Sequence, residues 1–196
     1  LCVLCTACHL HTMAGVPIPA TTITDDTFAV RPAGAVDDSL RVLFVHGGGS
    51  TDANDKSTSP HATYLRARFK HFHMRCVRHT SDFENVIRTH AEALAEFQPD
   101  VVVGRSQGGP TVLELVKRGY WHGPCVLCCP ALVPAVDAHL MQLPADLPVM
   151  VVAGSVDEQV PLERVRDEFY APNRLVTRGV ALAVVDDRHA LRSLCD

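Results

Sequence analysis

Residues 101–115, Val-Val-Val-Gly-Arg-Ser-Gln-Gly-Gly-Pro-Thr-Val-Leu-Glu-Leu, constrain this chain more than any other stretch. Three β-branched residues in a row suit a strand buried on both faces, while Val112, Leu113, Leu115 and Val116 recur at helical spacing. Between the two patterns stands Gly104-Arg105-Ser106-Gln107-Gly108, a G-x-S-x-G sequence. A strand that turns straight into a helix through one serine strains that serine's backbone. It also needs glycine two residues before and after, because side chains there would meet the neighbouring strand or helix. The corner lifts Oγ into solvent. It leaves the Gln107 amide at the start of the helix, where an N–H and the helix dipole favour developing negative charge.

The rest of the chain repeats the alternation of short apolar runs and helical patterns. Thr27–Arg31 reads as a first edge strand, Val42–Val45 as a buried strand cut off by three glycines, and Pro60–Phe72 as a helix through Tyr64, Leu65 and Phe69. Met74–Arg78 then reads as a short strand. Ser81 and Glu84 form a capping box for a helix along Phe83, Val86, Ile87, His90, Leu94 and Phe97, which Pro99 ends. After the serine corner the helix from about Gly109 stops at Gly119. Cys125–Cys129 and Leu147–Gly154 read as strands, Pro161–Tyr170 as a helix with proline in its first turn, and Val180–Asp187 as the last strand. The expected fold is α/β, a three-layer α/β/α sandwich around a mostly parallel sheet of about six or seven strands. Residues 25–196 are expected to form a single domain, with 1–24 a poorly ordered N-terminal extension.

A length of 196 residues with 47% hydrophobic residues is enough for one core covering both faces of a sheet. A formal net charge of -4, with no basic helix face, argues against a nucleic-acid partner. No apolar run approaches the roughly 20 residues that cross a bilayer. The expectation is a soluble cytoplasmic protein without a membrane or nucleic-acid partner, its oligomeric state left open.

Of eight cysteines, Cys76, Cys125, Cys128, Cys129 and Cys195 outline no disulfide ladder and read as buried small hydrophobes in a reducing compartment. Cys2, Cys5 and Cys8, with His9 and His11, leave three readings. They are part of a zinc or iron–sulfur ligand set, an extension ahead of a true start at Met13, or the remnant of a signal peptide that lacks a basic n-region. No bound metal and no cofactor is the expectation taken.

From about Leu40 onward the chain resembles the α/β-hydrolase superfamily. The elbow at Ser106 carries the likeness together with three stretches: His46-Gly47-Gly48-Gly49 after a strand, Ala153-Gly154-Ser155-Val156-Asp157-Glu158-Gln159-Val160-Pro161, and Val184-Val185-Asp186-Asp187-Arg188-His189. The resemblance implies Ser106 as nucleophile, Asp157 as the triad acid and His189 as the base, in the family's chain order. It implies backbone amides of Gln107, Gly47 and Gly48 as oxyanion donors. Gly49, Arg105 and Leu132 are candidate substrate contacts. Arg105 and Arg188 suggest a basic mouth that would suit an acidic substrate, or simply two solvated arginines. His46 reads as structural, and His61, His71, His73, His79, His90, His122 and His139 as surface or packing residues.

The interval Pro130–Pro148 is too short for a lid domain, so an open site is expected, with Leu132, Val133, Leu140, Met141 and Leu143 available to line a pocket. The expected activity is cleavage of small to medium carboxylic esters through an acyl-enzyme, with a small-molecule ester or thioester as partner. Thioester cleavage and a non-catalytic binding protein are the alternatives. Nucleotide binding is disfavoured by the lack of a G-x-x-x-x-G-K-[ST] or G-x-G-x-x-G pattern.

Overall fold

The computed structural model describes residues 36–48, 57–77, 82–131, 143–144, 147–170 and 180–195. The element order is β1 (Asp37–Val45), α1 (Pro60–Arg68), β2 (Phe69–Met74), α2 (Phe83–Phe97), β3 (Val101–Arg105) and α3 (Gly108–Lys117). It continues with β4 (Cys125–Cys128), β5 (Val149–Gly154), α4 (Leu162–Tyr170), β6 (Val180–Val185) and a 3₁₀ turn (Arg192–Leu194). The six strands form one sheet in the order β2-β1-β3-β4-β5-β6, and every neighbouring pair is parallel. The expected strand at Thr27–Arg31 lies outside the described residues.

This order explains how the helices are shared out. The chain steps outward from β1 to β2, then crosses back to β3 on the far side of β1 and continues in one direction to β6. Right-handed crossovers in opposite directions place their helices on opposite faces, so α1 covers one face while α2, α3 and α4 cover the other. Side chains alternate accordingly. Leu43, Val45, Val102, Leu127 and Val151 pack with Leu113, Val116, Ile87 and Val165, whereas Val42, Phe44, Val103, Val126 and Val152 pack with Ala62, Leu65 and Leu191. The result is the three-layer sandwich that the alternation of patterns predicts.

Two local expectations are corrected. The helix from Pro60 ends at Arg68 rather than Phe72. Phe69 is already extended, at φ -121° and ψ 120°, and pairs with Asp37 of β1 as the first residue of β2. The strand expected at Met74–Arg78 is therefore Phe69–Met74. Tertiary pairing with β1 overrides a marginal helical pattern here, in a run of phenylalanines and histidines that fits a half-buried pleat. At α2, Asp82 rather than Ser81 is the N-cap, its carboxylate accepting from Asn85 N at 3.0 Å. Ser81 lies outside the described residues. The helix ends at Phe97, with Gln98 in the left-handed region at φ 48° before Pro99.

At the end of α3, Tyr120 N–H bonds to Leu115 O and Gly119 N–H to Val116 O, both at 2.9 Å, and Gly119 has φ 75°. This pair of bonds is the terminating motif a C-terminal glycine makes possible, and it places the predicted stop at Gly119. Arg118 then bridges Glu114 of its own helix and Glu84 of α2, tying the two helices together at their exposed edge. No helix among the described residues is long and apolar enough to cross a membrane.

Candidate active site

Ser106 follows β3 directly and has φ 50°, a left-handed conformation that costs a residue with a Cβ on the order of 1–3 kcal/mol. Main-chain bonds hold it there. Ser106 N–H donates to Cys128 O at 2.9 Å, and Ser106 O accepts from Gly109 N and Ala131 N, each at 2.9 Å. The flanking glycines are sterically required. A Cβ on Gly104 would stand 2.8 Å from Gly108 O and 2.9 Å from Val112 Cγ2, and one on Gly108 would run into Val45 O. Gln107 is the N-cap of α3, so its amide belongs to the set at a helix start that has no carbonyl of its own helix to bond.

The loop after β1 lies against this corner. A Cβ on Gly47 would be 2.9 Å from Ser106 Cβ, and one on Gly48 would collide with the Gln107 side-chain amide. Close approach of the two loops thus depends on the absence of a side chain at residue 47, whereas at residue 48 the exposed end of the Gln107 side chain would have to move. His46 is buried and ties the loop down: its Nε2 accepts from Val77 N–H at 3.1 Å, which leaves Nδ1 to donate to Gly47 O at 2.7 Å. The expected structural role of His46 is what these bonds describe. Gly49 and Leu132 lie outside the described residues.

Asp157 follows β5 and His189 follows β6, so Ser106, Asp157 and His189 all stand at the carboxyl ends of parallel strands. Adjacent strands are about 4.8 Å apart, and β4 and β5 separate β3 from β6, so the turn after β6 must fold back over the sheet for His189 to reach Ser106. It does so. His189 Nε2 is 3.0 Å from Ser106 Oγ and His189 Nδ1 is 2.9 Å from Asp157 Oδ2. A carboxylate can only accept, so the ring proton lies on Nδ1, and the bare Nε2 accepts from the Ser106 hydroxyl.

Asp157 is buried, with its side chain fully shielded from solvent. Burial alone would raise its pKa. The Val160 N–H, the His189 ring, the Cys129 thiol and the Gln159 N–H all bond its carboxylate and together hold it below the ordinary aspartate value. Cys129 was missed as a contributor by sequence reasoning. It is the first residue beyond β4, the strand between β3 and β5, and it sits at φ 42° with its thiol on Asp157. Burial foremost, and the neighbouring carboxylate with it, pushes the Cys129 thiol up, so it stays protonated and donates.

Ligand atoms of Cys129, Asp157 and His189 fall within 4.8 Å of one another, the group among the described residues that could hold a metal ion. Their hydrogen bonds to each other already account for the cluster, since Asp157 accepts from both the ring and the thiol.

Arg105 is the last residue of β3. Its side chain points, with Val101 and Val103, to the α1 face, and Nη2 donates to His189 O at 3.2 Å. Arg188 is exposed. His61, expected to be a packing or surface residue, is buried near the site on α1, with no hydrogen-bond partner on Nε2. Burial first and the Arg105 cation second push its imidazole down to about 4.

No protein-family model matches this chain, and no curated protein sequence does. Solved structures do. An alpha-beta serine hydrolase homologue from Coxiella burnetii superposes with a TM-score of 0.57 at 15% identity, covering 84% of this chain and 86% of the other. The esterase domain of a Rhodothermus marinus protein gives 0.56 at 14% identity, covering 80% and 81%. A monoacylglycerol lipase from Paleococcus ferrophilus gives 0.52 at 14%, covering 79% and 88%. With its parallel strand order and its serine corner, the chain has the fold of the α/β-hydrolase superfamily.

Proposed function

We propose that this protein is a serine hydrolase that cleaves small to medium carboxylic esters through an acyl-enzyme on Ser106. The observation that carries this reading is the single imidazole of His189, 3.0 Å from Ser106 Oγ on one side and 2.9 Å from the buried Asp157 carboxylate on the other. A serine hydroxyl is a poor nucleophile at its ordinary pKa, and an aligned base within hydrogen-bond reach removes that obstacle. In the first half-reaction Ser106 Oγ attacks the ester carbon while His189 Nε2 takes the hydroxyl proton. The carbonyl oxygen becomes an oxyanion facing the Gln107 amide and the Gly47–Gly48 loop. Collapse expels the alcohol, which receives the proton from Nε2. Water then attacks the acyl-enzyme by the same route in reverse, giving the acid and free Ser106.

Asp157 keeps the Nδ1–H tautomer and stabilises the imidazolium that forms in each half. Each oxyanion donor in such a site is typically worth about 3 kcal/mol of transition-state stabilisation.

Labelling of folded protein with a fluorophosphonate probe tests this reading, with Ser106→Ala as the blank, alongside a graded series of p-nitrophenyl esters. The expected result is one covalent adduct at Ser106 and ester turnover reduced on the order of 10⁶-fold in Ser106→Ala. A wild-type protein that forms no adduct and turns over none of the esters would overturn it.

A further inference from the structure

The turn that brings His189 back over the sheet is short and lies between β6 and the 3₁₀ turn. Its described bonds anchor its two ends. Ser155 N–H donates to Val185 O and Val156 N–H to Asp187 O, while the Asp187 carboxylate accepts from Ser193 N and Oγ. Leu191 N–H closes onto Arg188 O. None of these touches the main chain of His189 itself. Among the described residues, the hydrogen bond on that main chain is the one from Arg105 Nη2 to His189 O at 3.2 Å. The same guanidinium reaches the loop after β1, where Nη1 lies 3.4 Å from the point a Cβ on Gly47 would occupy. Its own backbone is the last strand residue before Ser106. One residue thus adjoins all three segments that must be held in register, the serine corner through its backbone and the glycine loop and histidine turn through its side chain.

The geometry points to Arg105 as the positioning residue of His189. Its guanidinium clamps the His189 carbonyl so that the imidazole stays aimed at Ser106, and it is not a contact for the substrate's charge. This inference rests on the proposed esterase reading for its kinetic arm and on geometry alone for its spectroscopic arm. A carbonyl that accepts from a cation forms a stronger and more directional bond than one accepting from a neutral donor, and the planar fork fixes direction where an ammonium would not. Arg105 is also half-buried, unlike solvent-exposed Arg188, which sequence alone groups with it.

The experiment compares Arg105→Gln, Arg105→Lys and Arg188→Gln with wild type on a neutral ester, p-nitrophenyl butyrate, and an anionic one, the p-nitrophenyl monoester of glutaric acid. The low-field proton resonance of His189 Nδ1–H is followed in parallel. Arg105→Gln should lose kcat on the order of 10- to 100-fold on both esters, since a misplacement of about 1 Å can cost this much. KM should stay within about twofold, the pattern of an interaction felt only at the transition state. The Nδ1–H resonance should shift or broaden, and added methylguanidinium should restore part of kcat. Arg188→Gln should match wild type.

A loss confined to KM for the anionic ester would overturn the inference in favour of substrate contact. Unchanged kcat together with an unchanged resonance would also overturn it. Should wild type cleave neither ester, the resonance decides for the positioning role alone: a shift in Arg105→Gln upholds it and no shift overturns it, while the probe labelling described above decides the proposed function. If Arg105→Gln does not fold, Arg105→Lys carries the test. Lowered kcat at constant KM supports the clamp, and full wild-type kcat overturns it.

Discussion

The two faces of the sheet are built to different standards. On one face, α2, α3 and α4 press Leu113, Val116, Ile87 and Val165 onto the strands, and Val112 approaches the Gly104 backbone closely enough to bar a methyl group. On the other, α1 and a 3₁₀ turn are the described cover. There a cavity of about 60 Å³ lies between Leu65, Val103, Val126, Val152 and Leu194. The looser face also holds the polar atoms that lack partners near the site, His61 Nε2 and Arg105 Nε. The cause is topological. Among the described helices, a single reversal of direction at β1 sends α1 to this face and α2, α3 and α4 across. The lesson is a division of labour, with one face supplying cohesion and the other supplying room for the groups that support Ser106, Asp157 and His189.

Truncation should show the contrast most strongly. Leu113→Ala, in the tightly packed face, is expected to cost about 3–5 kcal/mol in urea unfolding, and Leu65→Ala, beside the cavity, nearer 2 kcal/mol. Equal losses would break the comparison.

The pH dependence of stability comes next. His61 titrates near 4 in the folded protein against 6.5 ordinarily, so between those values the unfolded chain binds the extra proton. Stability therefore falls as pH is lowered through that window, by at most about 3 kcal/mol from this group. His61→Phe should flatten the slope of unfolding free energy between pH 6.5 and 4. A slope identical to wild type would show that the looser face carries no such load.

The smallest effect sharpens the comparison. Adding one methyl group by Val112→Ile should cost about 1–3 kcal/mol, whereas Val126→Ile, which can extend into the cavity, should stay within about 1 kcal/mol of wild type. Thermal melts of the two variants side by side provide the measurement.

Much of the cohesive face was legible in the sequence, because its signals are local. The spacing of Val86, Ile87 and Leu94 and the stop at Gly119 each report a period or a backbone requirement, and of the valines before Gly104 the middle one, Val102, belongs to this face. The serine corner was legible for the same reason. The looser face was harder to read. Phe69–Met74 looks like the end of a helix until β1 supplies a partner strand, and a contact between residues 37 and 69 leaves no trace in either segment.

His61 reads as an ordinary helix residue, and its burial follows from the sheet's reversal of direction. Arg105 reads as a charge at the mouth. Its direction follows from strand parity, which puts it on the α1 face with Val101 and Val103, and its partner follows from a turn 84 residues away. Cys129 carried one usable signal, its place just beyond a strand that lies between two strands bearing site residues. Recognising it requires the strand order first.

The three main-chain bonds around Ser106 mean that the shape of that corner does not depend on what the serine carries. Cysteine or alanine at this position inherits the same scaffold. If Ser106 acts as proposed, a Ser106→Ala protein therefore keeps an intact receptacle for uncleaved substrate, and a molecule captured by it from a metabolite mixture is identified directly by mass.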